Sequence, residues 1–155
     1  MRVPPPAGGR VGVGVRVTIE EDMTEQIPEP FHDLLRDETR AYAYLATTMP
    51  DGTPQVTPVW FDMMNGLIRV NTAEGRTKWR NMRRRPAVAL VIADPKNPYR
   101  YLQIRGVVEG WTLEGAREHI DRLAKKYHGV ERYSGPADEQ RVIFSVRPKA
   151  VSSLG

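Results

Sequence analysis

The sequence has no cysteine among its 155 residues. Disulfide staples, thiolate metal sites and a cysteine nucleophile are therefore excluded. No apolar run approaches the ~18 residues of a membrane helix, so no membrane span is expected. The opening MRVPPPAGGR lacks the apolar segment of a signal peptide, and a cytoplasmic location is expected. Histidine is scarce: His32, His119 and His128 all fall on polar stretches, without a metal-spaced partner. Each is expected at the surface, and no metal site is expected. There is no G-x-S-x-G elbow, and Ser134, Ser145, Ser152 and Ser153 have no evident base. No catalytic side chain can be named. Enzymatic chemistry here would belong to a bound cofactor that the protein positions.

What is present describes a folded domain. A hydrophobic fraction of 40% with 27% charged residues is globular, not disordered. The net charge is +4, yet residues 76–85, RTKWRNMRRR, hold six cations and no acid. Without them the chain has 17 Lys and Arg against 19 Asp and Glu. The basic character thus sits in one decapeptide. A nucleic-acid binder spreads cations over several elements and interleaves exposed aromatics, so no nucleic-acid partner is expected.

Residues 1–25 differ from the rest, with Pro4–Pro6 followed by four glycines within 8–14. They are expected to be a disordered or extension segment, leaving residues 26–155 as the single folded domain. Their GRVGVG lacks the third glycine of a dinucleotide fingerprint. Beyond them a short helix carries Phe31, Leu34 and Leu35, and strands are predicted over 41–49 and 54–63. In the second of these, Gln55, Thr57, Val59 and Phe61 share one face and Val56, Pro58 and Trp60 the other. Pro54 and Pro58 cannot donate to a ladder, which places this strand at an edge or at a bulge. Asn65-Gly66 signals a hairpin into a strand over 67–72. A helix over about 76–84 stops before Pro86, with Trp79 and Met82 facing the core. Strands over 87–93 and 99–111 follow, then a helix over 113–127 capped by Thr112, and a last strand over 141–151. The class is mainly β (α+β): five or six mostly antiparallel strands in a small barrel with helices outside.

The strand-to-helix passage Asn71-Thr72-Ala73-Glu74-Gly75-Arg76-Thr77-Lys78 is the candidate site. A helix start offers unpaired N–H groups and the positive end of the dipole, which suits a phosphate. Gly75 allows close backbone approach and Thr77 donates from its hydroxyl. Arg76 grips oxygens in a bidentate manner, and Lys78 adds a mobile charge. The alternative is an ordinary solvated charged helix.

The runs DGTPQVTPVWFD (51–62), GLIRVNTAEGRTKWRNMRRRPAVALVI (66–92) and YLQIRGVVEG (101–110) resemble the flavin/deazaflavin oxidoreductase superfamily. This is the split β-barrel group that includes the pyridoxamine 5'-phosphate oxidases and FMN-binding proteins. Within it, the sequence is most similar to the coenzyme F420-dependent branch. The resemblance implies a split β-barrel of about six strands and a homodimer with cofactor sites at its interface. It implies that Arg76 and Lys78 hold the cofactor phosphate, with Thr77 and Asn81 nearby. Thr57, Pro58, Val59 and Trp60 would run along the ring, and Asn71 and Thr72 would lie between ring and phosphate. Gln103 and Arg105 would reach the site from the second protomer. The pyridoxamine-phosphate oxidases' substrate-phosphate residues and C-terminal motif are not visible, which argues against that substrate.

The implied cofactor is coenzyme F420, with FMN as the alternative. FMN ends in one phosphate monoester, whereas F420 continues from a phosphodiester into a carboxylate-bearing tail. Six cations in ten residues suit the longer anion better. The implied activity is hydride transfer between the deazaflavin and an electron-poor unsaturated small molecule. A non-catalytic cofactor-binding protein is the further alternative.

Overall fold

The computed structural model describes residues 26–155; the extension expected over 1–25 lies outside the described residues. The chain opens with a 3-10 helix, Glu29–Leu35, that buries Phe31, Leu34 and Leu35. Pro30 removes a donor from its first turn, and the helix closes with short-range bonds such as Phe31 N–H to the Pro28 carbonyl (2.9 Å).

Seven strands follow: β1 (Ala43–Thr48), β2 (Pro54–Val59), β3 (Phe61–Met64), β4 (Leu67–Ala73), β5 (Ala87–Asp94), β6 (Asn97–Thr112) and β7 (Arg141–Leu154). Helix α1 (Thr77–Arg84) joins β4 to β5, and α2 (Ala116–His128) lies between β6 and β7. Every pairing is antiparallel, in the order β2-β1-β5-β6-β7-β4-β3. The strand expected over 54–63 is in fact two, which accounts for the seventh. It breaks at Trp60, and its halves take opposite edges of the sheet. A single residue therefore links the two edges, so the sheet must roll until they adjoin. This is the split β-barrel.

Pro54 and Pro58 lie on β2, an edge strand, where a missing N–H costs no ladder bond. At the crossing, Phe61 has sheet neighbours on one side only, and α2 satisfies the other. The Tyr127 hydroxyl accepts from Phe61 N–H (3.3 Å) and donates to the Ala41 carbonyl (2.6 Å). The Lys126 ammonium donates to the Phe61 carbonyl (2.7 Å) and pairs with Asp37 (3.4 Å). Trp60 stacks on Tyr127 at 5.3 Å between ring centroids.

Alternation along the strands fills the interior. Leu45, Phe61, Ile68, Val70, Leu90, Ile92, Leu102, Ile104, Phe144 and Val146 are all essentially inaccessible. The β3–β4 turn needs positive φ at both central residues, and Asn65 (54°) and Gly66 (77°) supply it. Met82 is buried in the core and Trp79 packs against it. Helix α2 begins three residues later than expected. The Thr112 hydroxyl accepts from Glu114 N–H (3.1 Å) in a turn that ends β6, and Gly115 at φ 77° opens the helix. Leu113, the first residue of the expected helix, lies before α2 and is exposed.

Candidate cofactor site

Strand β4 ends at Ala73, and Glu74-Gly75 turns the chain into α1. Gly75 sits at φ 94°, and nothing lies within 4 Å of where its Cβ would be. The backbone angle demands glycine there, not crowding. Arg76 is the N-cap, in extended conformation, and no side chain caps the helix start. The first-turn amides are thereby left as donors beside the positive end of the helix dipole.

Three cations converge on this start. Burial, and then the charges of Arg76 and Arg141, push the half-buried Lys78 ammonium below its usual range. Arg76 and Arg141 share one carboxylate, Glu139, at 2.8 Å each. Burial would raise the Glu139 carboxyl, but its bonds from Arg141 and Arg76 hold it below the ordinary value. Three cations against one carboxylate leave an excess of positive charge at an uncapped helix. That arrangement fits a phosphate or another multivalent anion.

The expected site residues divide into groups. Arg76, Thr77 and Lys78 form the helix start itself. Thr57 and Val59 lie on the inward side of β2, with Val56 and Pro58 exposed on the other, as the alternation predicts. The Thr57 hydroxyl oxygen is buried and takes no hydrogen bond, the one such side-chain atom among the described residues. An orphaned buried hydroxyl on the inner side of an edge strand is a polar atom that the fold itself leaves unpaired.

Asn71 and Asn81 use their amides within the protein. Asn81 is buried; it donates to the Thr47 hydroxyl (2.9 Å) and accepts from Arg85 (3.1 Å), tying α1 to β1. Asn71 donates to the Ala116 carbonyl (2.9 Å), and Thr72 beside it is buried. Gln103 and Arg105 are exposed on β6, next to Ala150–Ser152 of β7, and no described contact joins them to Arg76 or Lys78.

Sequence reasoning missed the polar chain behind the helix start. His119, expected at the surface, is fully buried. Its Nε2 meets Asp62 at 3.0 Å and its Nδ1 meets the Asn71 amide nitrogen at 3.1 Å. Arg69, directly across the β3–β4 ladder, grips Asp62 in a bidentate manner (3.0 and 2.8 Å). Burial alone would raise Asp62, but the bonds from His119 and Arg69 outweigh it and hold the carboxyl at about 2. Arg141 Nε then donates to Asn71 Oδ1 (2.8 Å). A signal for His119 existed: it lies three residues after Ala116 and four before Leu123, on the buried stripe of α2. Among the described residues no group of His, Asp and Glu could hold a metal ion, and no helix is long and apolar enough to cross a membrane.

An antiparallel split barrel with a cationic helix start leading out of its fourth strand is the architecture of the pyridoxamine 5'-phosphate oxidase-like fold. The family model for pyridoxamine 5'-phosphate oxidase matches residues 28–155, and the chain belongs to that family. A solved protein named F420 reductase is 42% identical, with a TM-score of 0.72, covering 81% of this chain and 98% of its own. Two more distant structures share the fold alone. A conserved hypothetical protein from Mycobacterium tuberculosis is 23% identical, with a TM-score of 0.62, covering 83% of this chain and 84% of its own. The heme storage protein HutZ from Vibrio cholerae is 14% identical, with a TM-score of 0.60, covering 84% of this chain and 96% of its own. No curated protein matches.

Proposed function

We propose that this chain is a coenzyme F420-dependent oxidoreductase that reduces an electron-poor unsaturated small molecule. The observation that carries the reading is the convergence of Arg76, Lys78 and Arg141 on an uncapped helix start with a single carboxylate between them. The likeness to a protein named F420 reductase supports the deazaflavin as the anion's source.

In this reading Arg76, the Thr77 hydroxyl and amide, and Lys78 hold the cofactor phosphate. The unpaired Thr57 hydroxyl bonds the ring, with Pro58, Val59 and Trp60 along its edge. Asn71, Thr72 and Asn81 shape the floor from behind, since their side chains are engaged or buried. When bound, the deazaflavin supplies hydride chemistry at C5. The chain's own contribution is to fix the ring's orientation and exclude water from it.

The working unit in this reading is a homodimer. The outward faces of β1 and β2 expose Tyr44 and Val56 (44% and 63%), and Gln103 and Arg105 lie on the same rolled sheet. An apolar face of this kind is suited to a second copy, which would bring Gln103 and Arg105 to the other protomer's cofactor.

FMN is the second reading, and a specific observation favours it. The converging cations form a compact cluster that one phosphate monoester satisfies. Turnover separates an enzyme from a carrier: reduced F420 is mixed with a panel of quinones and enones, and its reoxidation is followed by absorbance. Protein-dependent reoxidation by at least one acceptor is expected. Binding without turnover of any acceptor would make the protein a carrier.

A further inference from the structure

Arg141 was absent from the residues expected at the site, yet it is the best-held cation there. It opens β7, opposite Ala73 of β4, one turn of chain below the start of α1. Its side chain is only 5% exposed. Nε donates to Asn71 Oδ1 (2.8 Å), Nη1 donates to Glu139 (2.8 Å), and the guanidinium lies over Tyr133 at 5.0 Å. Among the described residues Nη2 takes no hydrogen bond. A buried guanidinium whose one carboxylate is shared with Arg76 is under-neutralised, and a bound anion would correct that.

The polar chain behind it has only one consistent proton arrangement. Arg141 Nε can only donate, so Asn71 must present its oxygen to Arg141. The Ala116 carbonyl can only accept, so the Asn71 amide nitrogen faces Ala116 and His119. His119 Nδ1 must then be the acceptor, and its Nε2–H must donate to Asp62. The imidazole thus donates from Nε2 to Asp62 and accepts at Nδ1 from Asn71, orienting Asn71, which in turn orients Arg141. No other tautomer satisfies all four contacts.

We propose that Arg141 is a further ligand of the anion bound at the start of α1, and that His119, acting through Asn71, is the positioning residue that holds it there. The inference rests on the anion-site reading above and extends it to residues on α2 and β7. Pre-ordering matters because a long cation that must be immobilised on binding gives back part of its interaction energy as lost rotamer freedom. Arg141, clamped on two nitrogens, avoids that loss.

The test uses the full-length protein as wild type and as His119→Phe, His119→Gln and Arg141→Gln. Ligands are F420, FMN and inorganic pyrophosphate, with the phosphate-free ring compound of whichever cofactor binds as control. His119→Phe and Arg141→Gln should each weaken phosphate-bearing ligands about tenfold, the worth of one charged hydrogen bond, and leave the phosphate-free ring unchanged. His119→Gln can still donate to Asp62 and accept from Asn71, and should stay within about threefold of wild type. Should His119→Phe not fold, Arg141→Lys keeps the charge, cannot span Asn71 and Glu139, and reads the same loss. Equal losses with and without phosphate overturn the inference, because that is what a merely structural role would give. So does no loss at all, or a Gln variant as weak as the Phe variant. Wild type that binds pyrophosphate but neither cofactor overturns the cofactor reading alone, and the relay is then judged on pyrophosphate. Wild type that binds none of the three overturns both.

Discussion

The two ends of α1 carry the same kind of residue and do different things. At its start, Arg76 and Lys78 are joined by Arg141, a cation from the far side of the sequence, and one shared carboxylate leaves the group under-neutralised. At its end, Arg85 turns inward to the Thr48 carbonyl (2.7 Å) and Asn81, and Arg83 lies over the Trp79 ring at 4.4 Å. Arg80 and Arg84 face solvent. Six neighbouring cations in sequence are therefore not one anion site in space. Their number therefore does not by itself favour a long anion, and the local geometry at Gly75–Lys78 carries the reading instead.

The difference between the two ends can be broken by substitution. The largest expected effect is at the start: Lys78→Ala should weaken cofactor binding by about 2 kcal/mol or more, roughly thirtyfold, with the melting temperature little changed. Unchanged affinity in a fluorescence titration would remove the start from the site. Next comes the network that braces the start from β3. Asp62 is held at about 2 against an ordinary 3.8, so it contributes stability above its unfolded value that is lost as pH falls through the folded one. That shift corresponds to about 2 kcal/mol at neutral pH. Asp62→Asn should lose roughly that amount in urea unfolding at pH 7, and the deficit should vanish between about pH 4 and pH 2. A deficit independent of pH would assign the loss to packing.

Thr57→Val sharpens the account from the facing strand. The hydroxyl oxygen has no partner, so an isosteric valine should leave stability equal or slightly higher while weakening ring binding by about 1 kcal/mol. A loss of stability would mean that the hydroxyl is satisfied in the free protein. The smallest effect belongs to the helix end: Arg84→Ala should change stability by less than about 0.5 kcal/mol and cofactor affinity by less than about twofold. A loss there comparable with Lys78→Ala would restore the extended-anion argument.

Much of this is legible in the sequence. Proline at 54 and 58 marked the edge strand, Asn65-Gly66 the hairpin, and Gly75–Lys78 the strand-to-helix turn, because each signal is local and has a steric or hydrogen-bonding cause. What escaped is what depends on distant pairing. The break at Trp60 became necessary only because β2 and β3 lie on opposite edges of one rolled sheet. Arg141 joins the site through the β4–β7 ladder, about seventy residues downstream of Asn71, with Glu139 in the loop just before it. His119 has polar neighbours in sequence, but its helical phase places it on the apolar stripe of α2, where the Asp62 carboxylate partners it in the interior.

The anion at the start of α1 is the claim from which the rest follows. Parallel fluorescence titrations of the purified full-length protein with F420 and FMN test it most directly. The account predicts saturable binding of F420, at least about tenfold tighter than FMN and weakened by Lys78→Ala. F420 binding that ignores Lys78 would contradict the anion site, and tighter binding of FMN would overturn the choice of the deazaflavin alone.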